Sequence, residues 1–315
     1  MTARTVLVYY PDAPTARAFA DFVRLPDASM SLHVASTPAE AASFVGETDV
    51  LYGWKFPAEL LGRASRLRWI QAMGAGVERF LVPELPPSVV LTRVTGVFGP
   101  WMAEYTVGWC LWVTQRIHLF QREQQARRWT AVDPLRLHGA VLCVVGLGDI
   151  GRPIARTARR MGMRVIGVTR RGRPVAGVEK VHDLSGLKTA LGAADFVALV
   201  VPLSPETTGL IGEAELAAMK PSAWLINMAR GPVVVEGALI RALAERRIGG
   251  AVLDVFDTEP LPAEHPLWAM DNVAVTPHIS GPSDPAEIAP FFNDNLRRFV
   301  EGRPLRAVVN RTRGY

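Results

Sequence analysis

The run Val141-Leu142-Cys143-Val144-Val145-Gly146-Leu147-Gly148-Asp149-Ile150-Gly151-Arg152-Pro153-Ile154-Ala155 decides how this chain folds. Its apolar, β-forming start predicts a buried strand, and the residues from Ile150 onward predict a helix. Between them the glycines stand at G-x-G-x-x-G spacing, each with a physical task. Gly146 permits the tight turn, Gly148 lets a phosphate approach the backbone, and Gly151 lets the helix lie close to the sheet. The helix start then offers unpaired N–H groups and the positive end of its dipole to a diphosphate. A bare glycine triplet would be weak. In this strand–turn–helix setting, Gly146, Leu147, Gly148, Asp149, Ile150 and Gly151 form a candidate dinucleotide loop.

Downstream, apolar strand-like runs recur at 164–168, 196–200, 223–228, 251–255 and 273–276, with helical stretches at about 150–161, 213–219 and 236–245. Upstream, runs at 6–10, 31–35, 50–54, 67–71 and 89–93 alternate with helical or turn segments. Strands alternating with helices predict parallel sheets. At 315 residues the chain is too long for one comfortable core. The expected fold is α/β, with two Rossmann-like doubly wound domains and a cleft between them. Residues 99–282 would bind the dinucleotide. Residues 1–98 and 283–315 would form a discontinuous substrate domain, since Asp284, Pro285 and Glu287 read as the capped start of a last helix, kinked or restarted at Pro290. A long amphipathic segment from Trp101 to Trp129 reads as one aromatic helix suited to dimerisation.

Composition narrows the function. With 49% hydrophobic and 21% charged residues, the chain is a folded globular protein rather than a disordered one. The net charge of +5 comes from scattered arginines without one long basic run, which argues against a nucleic-acid partner. No run nears the roughly 18 apolar residues of a membrane span. Met1 to Thr5 leads directly into an apolar strand without a signal-peptide core, so a cytoplasmic protein is expected. Cys110 and Cys143 read as buried thiols, and no metal-ligand spacing is present.

The strand 164–168 bears on cofactor choice. An NAD site places a carboxylate at its end, on the ribose 2′-hydroxyl. Here Thr169-Arg170-Arg171-Gly172-Arg173 follows instead. An arginine fork suits a 2′-phosphate. NADP(H) is therefore favoured, with Arg170 the first candidate, Thr169 and Arg171 beside it, and NAD(H) still possible.

Strand-end segments in the last third complete the set: Ile226-Asn227-Met228-Ala229-Arg230-Gly231, Leu253-Asp254-Val255-Phe256-Asp257-Thr258-Glu259-Pro260 and Val275-Thr276-Pro277-His278-Ile279-Ser280-Gly281. A cation, a carboxylate and an imidazole at strand ends beside a nicotinamide suffice for ketone reduction. With the glycine loop and Val201-Pro202-Leu203-Ser204-Pro205-Glu206-Thr207, the chain resembles the D-isomer-specific 2-hydroxyacid dehydrogenases, in particular their glyoxylate/hydroxypyruvate reductase branch. The resemblance is dense over about 140–281 and looser upstream. It implies that Arg230 binds the substrate carboxylate and carbonyl oxygen, that His278 gives the proton, and that Glu259 orients His278 and favours its protonated form. It also implies that Asp254 lies near the nicotinamide carboxamide and that Val201, Pro202, Met228 and Ala229 line the nicotinamide side.

On the substrate side, the family's glycine loop corresponds to Ala75, Gly76 and Val77, whose N–H groups would hold a carboxylate. Trp54 would limit substrate size and Lys55 would add positive potential. The expected activity is NADPH-dependent reduction of a small 2-keto acid, glyoxylate or hydroxypyruvate first, to the D-2-hydroxy acid by a homodimer. The alternatives are a dehydrogenase for a bulkier apolar 2-keto acid and a dinucleotide-sensing regulatory protein on the same fold.

Overall fold

The computed structural model describes residues 4–315; the opening residues 1–3, read above as the lead into the first strand, lie outside it. The chain forms two compact units, one running to Val97 and resuming at Ser283, the other spanning Phe98–Pro282. Both are α/β.

The first unit holds a 5-stranded sheet of β1 (Thr5–Tyr9), β2 (Ser31–Ala35), β3 (Val50–Gly53), β4 (Trp69–Ala72) and β5 (Val90–Thr92), in the order β2-β1-β3-β4-β5. Every pairing is parallel. Such strands are covered on both faces, which is why Val6, Leu7, Val8, Leu51, Tyr52 and Ile70 are sealed from solvent. The helix Ala13–Asp21 starts where Asp12 accepts from Thr15 N at 2.9 Å, the N-cap bond that a first-turn N–H otherwise lacks.

The helix Pro285–Val300 belongs to this unit and begins as expected, with Asp284 Oδ1 accepting from Ala286 N at 2.7 Å. It runs on through Pro290 as one helix, so of the two expected outcomes there, a kink or a restart, the restart does not occur. Tertiary burial outweighs the lost hydrogen bond: Phe292 stacks on Tyr52 at 4.1 Å and on Trp69 at 5.4 Å. Removing such a buried ring typically costs about 3–5 kcal/mol. Asn295, fully buried on the same helix, donates to Gln71 Oε1 at 3.1 Å and accepts from Arg306 N at 2.8 Å. The tail then returns beside β5, with Val309 N donating to Leu91 O at 2.8 Å.

The second unit holds a 7-stranded parallel sheet in the order β12-β11-β10-β9-β6-β7-β8. Its strands are β6 (Val141–Val145), β7 (Arg164–Val168), β8 (Lys180–His182), β9 (Phe196–Leu199), β10 (Trp224–Asn227), β11 (Gly250–Leu253) and β12 (Val273–Val275). The order reverses between β6 and β9, and ligands of such sheets bind at the carboxyl ends beside that switch. Helices Gly151–Arg160, Leu187–Ala193, Glu213–Ala218 and Glu236–Ala244 cover the sheet. The short edge strand β8 and the helix Leu187–Ala193 were absent from the sequence expectation.

The expected long aromatic helix is instead two. Phe98–Thr114 stops, and Ile117–Gln125 begins after Arg116, which adopts φ 56°. A left-handed residue ends an α-helix. Trp129 lies beyond both helices and is fully exposed. Cys110 and Cys143 are free and buried, and burial pushes the Cys143 thiol up to about 12.

Candidate active site

The glycine loop has the shape a diphosphate requires. Gly146 sits at φ 104°, and a Cβ there would fall 2.7 Å from Val200 O. A Cβ on Gly151 would fall 1.8 Å from Gly146 O, so only glycine lets the helix approach the strand this closely. Over Gly148 there is nothing within 4 Å. That open, exposed position at the start of the helix Gly151–Arg160 fits a dinucleotide phosphate. Leu147 is buried beneath the loop, Asp149 is exposed and Ile150 is half-buried.

At the end of β7, Thr169 Oγ1 accepts from Gly172 N at 3.1 Å, closing a tight turn with Gly172 at φ 61°. The hydroxyl proton remains to be donated. Arg170 and Arg171 project from this turn, both exposed. The turn thus presents guanidinium groups and a hydroxyl where a 2′-phosphate is expected, with no carboxylate among residues 169–173. Val201, half-buried, lies beside Gly146. Pro202 is exposed and its carbonyl accepts from Thr207 Oγ1 at 2.6 Å. Met228 and Ala229 are buried at the end of β10.

Arg230 follows in extended backbone, φ −147°. Asn227 brackets it: Oδ1 accepts from Ala229 N at 3.1 Å and Nδ2 donates to Arg230 O at 3.2 Å. Arg230 Nη1 also donates to Ala229 O at 2.6 Å. The next residue, Gly231, lies so near the Phe256 backbone that a Cβ would meet Phe256 C at 2.1 Å. This approach brings the Arg230 loop to the Glu259 loop, and the guanidinium contributes to the field at the Glu259 carboxyl.

Glu259 and His278 pair directly, with Nδ1 to Oε2 at 2.9 Å. The other carboxylate oxygen accepts from Phe256 N at 3.1 Å. Burial is the largest single influence on Glu259 and opposes its ionisation. The hydrogen bond and charge of His278, the Phe256 N–H and Arg230 together outweigh it and hold the carboxyl below its usual range. With Nδ1 committed to an anion, Nε2 is the imidazole atom available to exchange a proton. The peptide Glu259–Pro260 is cis, and His278 adopts φ 56°.

Asp254, the residue expected near the nicotinamide carboxamide, is fully buried, and both its oxygens accept from the loop that carries His278. Oδ1 accepts from Thr276 Oγ1 at 2.6 Å and Ile279 N at 2.9 Å, and Oδ2 accepts from Ser280 N at 2.9 Å. A short carboxylate at the end of a buried strand is neutralised most effectively by the nearest backbone N–H groups.

Arg230, Glu259, His278 and Asp254 thus come together at the carboxyl ends of β10, β11 and β12, while Trp54, Lys55 and Ala75–Val77 belong to the first unit. There, Trp54 lies against Gly74, where a Cβ would fall 2.6 Å from the indole. Lys55 is exposed at φ 52°. Ala75 and Gly76 are half-buried, and Val77 is buried ahead of the turn Glu78–Phe80. Sequence reasoning missed Asn227, Thr276 and Tyr105 as site residues. The first two sit inside quoted strand-end motifs, and their polarity at a strand end was the available signal.

Among the described residues, no group of three or more His, Cys, Asp or Glu side chains is gathered to hold a metal, and no helix is long and apolar enough to cross a membrane.

Residues 107–280 match the model of the family described as D-isomer specific 2-hydroxyacid dehydrogenase, NAD binding domain. A glyoxylate/hydroxypyruvate reductase A from Escherichia fergusonii is 34% identical over 270 residues, covering 83% of this chain and 86% of the relative. The NADPH-dependent glyoxylate/hydroxypyruvate reductase of Sinorhizobium meliloti, solved with NADP and sulfate, superposes at a TM-score of 0.91 with 29% identity, over 99% of this chain and 100% of that one. A D-isomer specific 2-hydroxyacid dehydrogenase from Xanthobacter autotrophicus, solved with NADPH and MES, gives a TM-score of 0.87 and 33% identity, with 100% of each chain covered.

Proposed function

The chain belongs to the D-isomer-specific 2-hydroxyacid dehydrogenase family, and from that premise we propose that it reduces glyoxylate or hydroxypyruvate to the 2-hydroxy acid, in the D configuration where a stereocentre forms. NADPH is the reductant. The observation that carries this reading is the His278–Glu259 pair at 2.9 Å at the sheet's carboxyl ends, with Arg230 on the neighbouring strand end.

NADPH, when bound, would supply a hydride to the keto carbon. Gly146–Gly151 would hold its diphosphate, and Thr169, Arg170 and Arg171 would hold the 2′-phosphate. Arg230 binds the substrate carboxylate and draws charge onto the carbonyl oxygen as it becomes an alkoxide. His278 gives that oxygen its Nε2 proton. Glu259 holds Nδ1 and so keeps the ring oriented, with Nε2 left to serve the reacting oxygen. Ala75, Gly76 and Val77 offer N–H groups to the carboxylate, Lys55 adds positive potential, and Trp54 favours a small substrate.

The functional unit is a homodimer in the cytoplasm. The exposed Trp129, Ile117, Phe120 and Leu135 support self-association through the segment 117–135, and the free thiols of Cys110 and Cys143 suit a reducing compartment.

Initial rates of NADPH oxidation with glyoxylate, hydroxypyruvate, pyruvate and phenylpyruvate, with NADH in parallel, test the reading. Fast turnover with NADPH and a small keto acid is expected. Preference for phenylpyruvate would overturn the substrate class. Tight NADPH binding without turnover on any acid would favour the regulatory reading.

A further inference from the structure

We propose that Tyr105 and Thr276 are positioning residues for His278: together with Asp254 they lock the loop that carries the imidazole, and so govern proton transfer without touching substrate or cofactor. The inference rests on His278 being the proton donor.

His278 is held in the left-handed region at φ 56°. A side chain with a Cβ occupies that region only where its surroundings impose it. Here they do so from both sides of the residue. The Asp254 carboxylate takes the hydroxyl of Thr276 before His278, and the N–H groups of Ile279 and Ser280 after it, at 2.6, 2.9 and 2.9 Å. His278 N itself donates to Thr276 O at 3.1 Å. The imidazole therefore stands on a backbone turn pinned to one buried carboxylate.

Thr276 Oγ1 makes a second short contact, 2.6 Å to the Tyr105 hydroxyl. Its direction follows from counting protons. A threonine hydroxyl has one proton. Thr276 gives that proton to a carboxylate that has none to return, so Tyr105 must be the donor in the other contact. The chain runs from Tyr105 O–H to Thr276 O–H to Asp254. Burial raises the Tyr105 pKa above its ordinary value, which keeps the phenol protonated and donating.

Tyr105 is itself well anchored. Its helix, Phe98–Thr114, approaches the cofactor helix so closely that a Cβ on Gly99 would fall 2.5 Å from Pro153 Cγ. The adjacent Thr106 donates to Met102 O at 2.7 Å and contacts Met228 Sδ at 3.5 Å. The phenol thus buttresses the His278 loop from a helix packed on the dinucleotide-binding helix.

Thr276→Val keeps the side chain's shape and removes the donor, Thr276→Ser keeps the donor, and Tyr105→Phe removes only the outer link. Small misplacements of a catalytic group cost up to about 100-fold in rate. Thr276→Val should therefore lower kcat by about 10- to 100-fold. The solvent deuterium isotope effect on kcat should rise as proton transfer becomes limiting, with the Kd for NADPH unchanged. Thr276→Ser should restore the parental rate, and Tyr105→Phe should give a smaller loss with the same isotope signature. If Thr276→Val does not fold, Tyr105→Phe carries the test alone: a parental kcat and isotope effect overturn the proposal. So does a Thr276→Val enzyme with parental kcat, or a loss that appears equally in NADPH affinity. His278→Gln in parallel separates the two readings. Turnover surviving in His278→Gln removes the proton-donor assignment. Turnover lost there but parental in Thr276→Val and Tyr105→Phe removes only the positioning chain.

Discussion

Replacing Glu259 with Gln tests the centre of the proposed mechanism, because the side chain keeps its shape and loses only its charge. The carboxylate now accepts from both Phe256 N at 3.1 Å and His278 Nδ1 at 2.9 Å. An amide can serve only one of them. With its oxygen toward His278, its NH2 group confronts the Phe256 N–H. With its oxygen toward Phe256, its NH2 group requires Nδ1 to accept, and the imidazolium then has no partner. A hydrogen bond to a charged group contributes about 1.5–3 kcal/mol. At roughly 1.36 kcal/mol per decade of rate, its loss from the transition state should reduce kcat by about 10- to 150-fold. The stability cost should be far smaller. The His278 and Glu259 side chains are 40% and 32% exposed, so solvent screening limits the pair to about 0–1 kcal/mol of folding free energy. Steady-state kcat, NADPH Kd from fluorescence quenching and a thermal melt separate these quantities. A kcat within twofold of the parent would refute the reasoning, as would a loss seen equally in NADPH affinity.

The same pair predicts a pH dependence of stability. The folded-state pKa of Glu259 lies below its ordinary 4.5, so its contribution is complete above that value and is lost as pH falls through the lowered one. The Tm difference between parent and Glu259→Gln should hold steady above about pH 5.5 and shrink through the acid range; a difference that grows with acid would contradict the assignment. Arg170→Ala should weaken NADPH binding by about tenfold or more, the scale of one charge-assisted contact, while changing NADH little; titrations with both nucleotides check this, and equal losses would detach Arg170 from the 2′-phosphate. Gly151→Ala forces a Cβ to within 1.8 Å of Gly146 O. It should cost about 1–3 kcal/mol or more as overpacking and weaken dinucleotide binding; an unchanged Tm and Kd would show that the helix start tolerates displacement.

The architecture was readable in the sequence wherever strands are buried on both faces. Val141–Val145 and Arg164–Val168 coincide with their expected bounds because their apolar runs end at turn residues. Lys180–His182 escaped notice because a short edge strand with a lysine and a histidine carries no apolar run. The break at Arg116 was hidden for a different reason: apolar residues continue across it, and a left-handed arginine leaves no compositional mark. Arg230, Glu259 and His278 were legible because each stands in a strand-end motif. Asp254 was legible as a site residue, but its partners were not, since Ile279 and Ser280 bind it through their backbones. Tyr105 was invisible: its contact with Thr276 spans 171 residues and exists only once helix and sheet have packed.

The discontinuity of the first unit orders events during synthesis. Phe292 and Asn295 complete the core around Tyr52, Trp69 and Gln71, yet they are translated only after the whole of Phe98–Pro282. Strands β1 to β5 must wait on the order of tens of seconds at ordinary elongation rates for their final helix, while the second unit has its entire sheet in hand. The sequence of the second unit is therefore complete while its companion upstream still lacks the last helix. A released chain that ends near residue 283 should already retain NADP on a resin, with its N-terminal segment still open to protease.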